Sequence, residues 1–150
     1  MASAVVQAAL VARLQTNWTT VAAPAPPPIY AMNSIGSVPA DGSAFMAWEF
    51  PLASEAQASI GSPGANVWRE QFVFRVVLCV PIGQGVDPAS TPWSTWLDAL
   101  RATFRGAQFV SGQRQINCHG ASMSAQTSQS DFGAYFEMSF VVDGYSDLIG

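Results

Sequence analysis

The sequence predicts an α+β fold, with one antiparallel or mixed sheet of about four to five strands and two helices packed on it, in the order α-β-β-β-α-β-β. Three observations carry this expectation. Two stretches place apolar residues at helical spacing, several others alternate apolar and polar residues with period two, and the links between strands are mostly of hairpin length. A chain of 150 residues, 49% of them hydrophobic, closes one sizeable core rather than two, so residues 1–150 are read as a single domain. No internal repeat recurs at the roughly 20–50-residue periods of solenoids and propellers.

The first helix is expected over residues 3–16. Ser3 is placed to cap it, and Val6, Leu10 and Leu14 line one face at four-residue steps, with Trp18 extending the stripe as the helix frays. From Ala22 to Pro28, prolines at 24, 26, 27 and 28 forbid further helix and predict a stiff, polyproline-like connector. A short extended piece then runs through Ile29 and Tyr30 to near Asn33. The segment 36–43, with Asp41-Gly42, reads as a flexible loop.

Ala44, Met46, Trp48 and Phe50 share one face of a strand that Pro51 must bend, bulge or confine to an edge. The polar, glycine-rich stretch 54–66 reads as a mobile hairpin excursion. The clearest strand is 67–80. There Trp68, Phe72, Phe74, Val76, Leu78 and Val80 form a core face, while Arg69, Gln71, Val73, Arg75, Val77 and Cys79 form a half-polar face suited to a partner.

Thr91-Pro92 places a capping hydroxyl before a proline at the first helical position. Trp93, Trp96, Leu97, Leu100 and Phe104 follow at helical spacing, Arg101 and Arg105 sit near the negative end, and Gly106 stops the helix. In 115–125 the alternation slips at Gly120, which predicts a bulge. In the last strand Phe136, Met138, Phe140 and Val142 alternate with Tyr135, Glu137, Ser139 and Asp143.

Charge and composition narrow the function. Six arginines, no lysine and ten acidic residues give a net charge of −4, which disfavours tight capture of nucleic-acid phosphates but not DNA passing by. No stretch approaches the roughly 18 apolar residues of a membrane helix, and residues 1–14 hold no basic leader before an apolar run, so a soluble, unprocessed protein is expected. Cys79 and Cys118 lie in apolar strands without a Cys-x-x-Cys spacing and are expected as buried, reduced thiols. Asn17-Trp18-Thr19 is a chance match to the glycosylation triplet.

Catalytic chemistry has little material. His119 is the single histidine, so a nucleophilic mechanism would need it together with Cys79, Cys118 or a serine. A strand histidine without a task is the plainer reading. Zinc would need ligands at paired short spacings that the chain lacks. Gly83-Gln84-Gly85 has neither the further glycine nor the Gly-Lys-Ser/Thr continuation of a phosphate loop, and reads as a strand-to-helix turn. Glu49 and Glu55 flank a bend, Asp143 and Asp147 fall in a terminal tail, and Trp48, Trp68, Trp93 and Trp96 fall on apolar faces where core packing explains them. No catalytic, cofactor-binding or metal-binding residue is assigned.

Residues 12–18 (ARLQTNW), 28–33 (PIYAMN) and 68–85 (WREQFVFRVVLCVPIGQG), followed by the helix from Trp93 to Gly106, occur in an order and spacing that resembles the tail terminator proteins of long-tailed bacteriophages and gene transfer agents. The similarity spans roughly residues 8–142. The resemblance implies a non-enzymatic virion protein that self-associates into a ring, commonly a homohexamer, at the head-proximal end of the tail tube. Such a ring stops tail polymerisation and presents a surface for head attachment. Its partners are then the tail tube protein and the head-tail connector, with DNA only passing through the lumen and no membrane contact. It works in the tail or neck of the virion after assembly in the host cytoplasm.

The half-polar strand face and two loops fit the head-to-tail contacts that close rings. Interface candidates are Glu55 and Gln57 in the 54–66 excursion, together with Arg69, Arg75 and Arg114. The proline stretch 24–28 and the loop 36–43 depart from the family pattern. Arginine without lysine points to a GC-rich genome. The competing readings are another neck or tail protein, such as a head-tail stopper or tube subunit, and a small ligand-binding domain built on Gly83–Gly85 and His119.

Overall fold

The computed structural model describes residues 2–32, 34, 38–61, 64–84, 87–124 and 135–149. Two helices, α1 (Ala4–Val21) and α2 (Trp93–Ala102), pack on strands β1 (Ile29–Ala31), β2 (Phe45–Gln57), β3 (Val67–Pro81), β4 (Gln108–Ser111), β5 (Arg114–Met123) and β6 (Tyr135–Ile149). The α+β class stands as expected. The order is α-β-β-β-α-β-β-β, and the sheet has six strands rather than four to five. The additional strand is β4, four residues joined to β5 by the tight turn Gly112–Gln113, where Gly112 has φ 60°. Four residues are too few for alternation to stand out, although glycine in a two-residue link is a hairpin signal.

The strands lie in the order β1-β2-β3-β6-β5-β4. The pairs β2/β3, β3/β6, β5/β6 and β4/β5 are antiparallel and only β1/β2 is parallel. Two register shifts interrupt the ladders. One falls between Glu49 and Leu52, where Pro51 cannot donate a hydrogen bond, and β2 continues past it to Gln57. Ser54–Gln57, expected in a hairpin excursion, therefore belong to the ladder. The other falls between Cys118 and Ala121, at the predicted slip around Gly120. β6 also runs further than its apolar alternation, because Asp143 to Ile149 pair along β3, so Asp143 and Asp147 are strand residues and not a tail.

The main core fills the helix-covered face of the sheet. Val6, Leu10, Leu14 and Trp18 of α1 and Leu97 and Leu100 of α2 are buried against Phe72, Phe74, Val76, Leu78, Met138, Phe140 and Val142. Helix α1 does not fray at residue 16. Trp18 is 1% exposed, meets Trp96 edge to face at 5.7 Å, and donates its indole N–H to the Pro27 carbonyl at 2.8 Å, which ties the proline connector back to the helix. Trp48, Trp93 and Trp96 pack on this core as expected, whereas Trp68, at the start of β3, is 36% exposed.

Neither helix is capped as its sequence predicts. Ser3 occupies the N-cap position of α1, but its side chain makes no capping bond; its backbone N–H donates to Glu70 at 2.5 Å. The Thr91 hydroxyl donates backward to the Asp87 carbonyl, and Pro92 is the N-cap of α2. Gly106, at φ 64°, follows the turn that ends this helix. In the 36–43 loop the Ser43 N–H donates to the Asp41 carboxylate at 3.0 Å across Gly42, which has φ 72°; Gly36 lies outside the described residues, as do Asn33 and Gly85.

Both cysteines are buried, and they are not joined in a disulfide. Burial pushes the Cys118 thiol up to about 11, with Arg13 opposing and Asp143 adding to the shift. Near pH 8 the thiol therefore stays protonated. Cys118 should react with a thiol reagent in the native state at least about a hundredfold more slowly than in denaturant, as followed by quenched-flow mass spectrometry. Comparable rates in the two states would show that its strand opens readily.

Candidate assembly surface

The second face of the sheet carries no helix, and alternation along the strands decides what it displays. The side chains at 45, 47, 75, 77 and 79 and at 135, 137 and 139 point this way. At one end Phe45, Ala47, Val77, Cys79 and Tyr135 are buried in a second, smaller cluster joined by Tyr30 and Met32. Phe45 meets Tyr135 edge to face at 5.1 Å. The rest of this face mixes charged side chains with apolar ones such as Leu52 and Val73, in keeping with the half-polar side predicted for the 67–80 strand.

There the charges pair across strands. Arg75 sits 2.8 Å from Glu49 on β2 and 4.0 Å from Glu137 on β6. Arg69 forms a bidentate pair with Asp147, both bonds 2.8 Å, and its guanidinium lies 4.0 Å from the centre of the Tyr145 ring. The Asp147 hydrogen bonds raise the Arg69 pKa above its ordinary value. A concavity of about 450 Å³ opens beside this pair, with Leu52 and Ser54 on one side and His119 and Asp143 on the other. Phe72 and Gly144, paired across β3 and β6, also line it.

The remaining predicted site residues separate. Gln57, at the end of β2, donates its amide to the Ser59 carbonyl at 2.7 Å. Arg114 lies on the helix side, where it donates to Glu70 at 2.8 Å and approaches Glu55 at 3.8 Å. Glu70 is 4% exposed and also accepts the Ser3 N–H. The interface candidates therefore separate: Arg69 and Arg75 share the open face, Arg114 and Glu55 meet at Glu70 on the helix side, and Gln57 stays with the end of β2. Sequence reading missed Glu70, whose place in the alternation of the clearest strand marks it as facing inward.

The groups raised for catalysis do not converge. His119 is exposed and stands 3.6 Å from Asp143, while Cys118 turns to the opposite face of the sheet. Gly83 follows the far end of β3 from Val73, the residue beside Asp143. Among the described residues no three His, Cys, Asp or Glu side chains gather as a metal site would require, and no helix is long and apolar enough to cross a membrane.

Comparison with known proteins adds to this geometry. No curated protein matches the chain. Ten chains of solved structures match; one, identified only by a sequence label, is 19% identical with a TM-score of 0.61 and covers 98% of this chain and 95% of its own, a likeness of fold. A family model described as phage tail terminator protein matches residues 5–140, from the first turn of α1 to the middle of β6. That span takes in both helices, β1 to β5 and the first part of β6, so the chain belongs to the phage tail terminator family, a family of tail structural proteins and not of enzymes.

Proposed function

We propose that this protein forms a ring, of six copies by resemblance to its family, at the head-proximal end of the tail tube. The ring stops tube polymerisation and offers its outer surface to the head-tail connector. Supporting this reading within the fold is the outer side of β2 from Glu49 to Gln57, which no strand of the described residues borders. An unpaired edge at one end of a sheet is suited to the heterologous contacts from which closed rings are made. The net charge of −4 per copy suits a lumen through which DNA slides without sticking.

Deleting the gene in its parent particle and measuring tails by negative-stain electron microscopy tests the assignment. Overlong, headless tubes are the expected result. Tails of normal length that fail to join heads would instead indicate a head-tail stopper, and loss of tubes altogether would indicate a tube subunit.

A further inference from the structure

The two edges of the sheet match each other. Four successive antiparallel pairings separate β2 from β4, so the two strands point the same way. On its outer side β2 is bordered by the parallel strand β1 from Met46 to Trp48 only. At the opposite end β4 has β5 on one side and, among the described residues, no strand on the other.

Ladder alternation fixes which backbone groups are left over. Ala58 donates to the Val67 carbonyl at 2.7 Å, so Leu52, Ser54 and Ala56 also turn their N–H and C=O groups to β3, and Ala53, Glu55 and Gln57 turn theirs outward. Cys118 donates to the Ala107 carbonyl at 2.8 Å, so Phe109 and Ser111 face β5 while Gln108 and Val110 face outward. In a parallel pairing each incoming residue bonds the two neighbours of the residue opposite it. Val110 set opposite Ser54 donates to the Ala53 carbonyl and accepts from the Glu55 N–H. Gln108, opposite Leu52, donates to the Pro51 carbonyl and accepts from the Ala53 N–H. Pro51 is used only through its carbonyl, the one backbone hydrogen-bonding group it has.

The side chains agree with this register. Val110 and Leu52 are 74% and 61% exposed, and both lie on the helix-free face, where the pairing makes them diagonal neighbours. Exposed edges are usually guarded by lysine, proline or an inward charge, yet β4 reads Gln-Phe-Val-Ser and has none of these. We propose that β4 of one copy adds in parallel to β2 of the next, end to end with that copy's own β1, so that one continuous sheet closes the ring. The partner is a second copy because only a strand of this direction, length and facing is offered by the chain itself. The inference rests on the ring reading above and names the contact that makes it.

Its test is the double variant Ser54→Cys/Val110→Cys. Within one chain the two positions are about 19 Å apart, four strand spacings of about 4.8 Å, beyond disulfide reach. Oxidation should give a ladder of covalent multimers on a non-reducing gel, while either single variant gives dimers at most. Wild-type protein is examined alongside, in solution by mass photometry and on purified tails by electron microscopy. Rings without a ladder would overturn the edge contact and leave the ring reading standing; no ring in either setting, and no ladder, would overturn both. A second variant, Val110→Pro, removes an outward N–H and no bond to β5. It should melt near the wild-type temperature and need at least about tenfold more protein to assemble. Wild-type assembly of this variant would also overturn the contact.

Discussion

Arg114→Ala is expected to destabilise the protein by about 3–5 kcal/mol, as removal of one partner from a buried ion pair does. The reason lies with Glu70, which is 4% exposed and accepts two hydrogen bonds, from Arg114 at 2.8 Å and from the Ser3 N–H at 2.5 Å. The positive end of α1 stabilises the carboxylate as well. Truncating Arg114 leaves the carboxylate out of water with only the helix end for compensation, and Glu55, at 3.8 Å from the lost guanidinium, adds repulsion. For a domain of this size the melting temperature should fall by roughly 10 °C. Replacing both partners, as in Glu70→Gln/Arg114→Met, should recover most of the loss, because the cost arises from the orphaned charge and not from the missing pair. Calorimetry on the two variants and wild type decides the matter. A single variant that melts within about 2 °C of wild type would show that water reaches Glu70.

Gly144→Ala should cost about 3 kcal/mol, at or beyond the upper end of overpacking effects. Gly144 lies in β6 between β3 and β5, and a methyl group there would strike the Asn117 carbonyl and come within 2.7 Å of the Phe72 ring. Neither neighbour has room to yield: the carbonyl belongs to the β5 backbone, and the ring is 2% exposed in the main core. Gly120→Ala is the internal control. Its nearest atom would be an Asp143 carboxylate oxygen at 3.4 Å, on an exposed side chain, so this variant should stay within about 0.5 kcal/mol of wild type. Equal melting temperatures for the two alanine variants would mean that the sheet spreads at Gly144 to admit the methyl group.

Periodicity is a local signal, and where burial is one-sided over many residues it reads true. The apolar stripe of α1, the core face of 67–80 and the slip at Gly120 were all legible for that reason. The missed features depend on partners distant in sequence. The alternation of the last strand is legible only as far as Asp143; beyond it Gly144, Ser146 and Asp147 resemble a polar tail. They are ordered by β3 on one side, through contacts such as Asp147 with Arg69. At Pro51 the sequence allowed a bend, a bulge or an edge; pairing with β3 settled on a bulge and carried β2 on through Ser54–Gln57, which local composition marks as a loop. The candidate interface residues fared in the same way: sequence marks arginines and acids, but not which of them meet.

By itself the amino-acid sequence determined the α+β class, the inward face of each long element, the poverty of catalytic material and the family resemblance. These follow from composition and from spacings of two and of three to four residues. Only the tertiary structure decided that Arg114 and Glu55 gather at Glu70, which accepts the N–H of Ser3 at the start of α1, that Arg69 and Arg75 share the open face, and that β4 and the part of β2 beyond β1 run parallel with no strand of the described residues on their outer sides. Pairing of charges and strands across the sheet is set by register between segments far apart in the chain, 78 residues in the case of Arg69 and Asp147, and no local pattern encodes that distance.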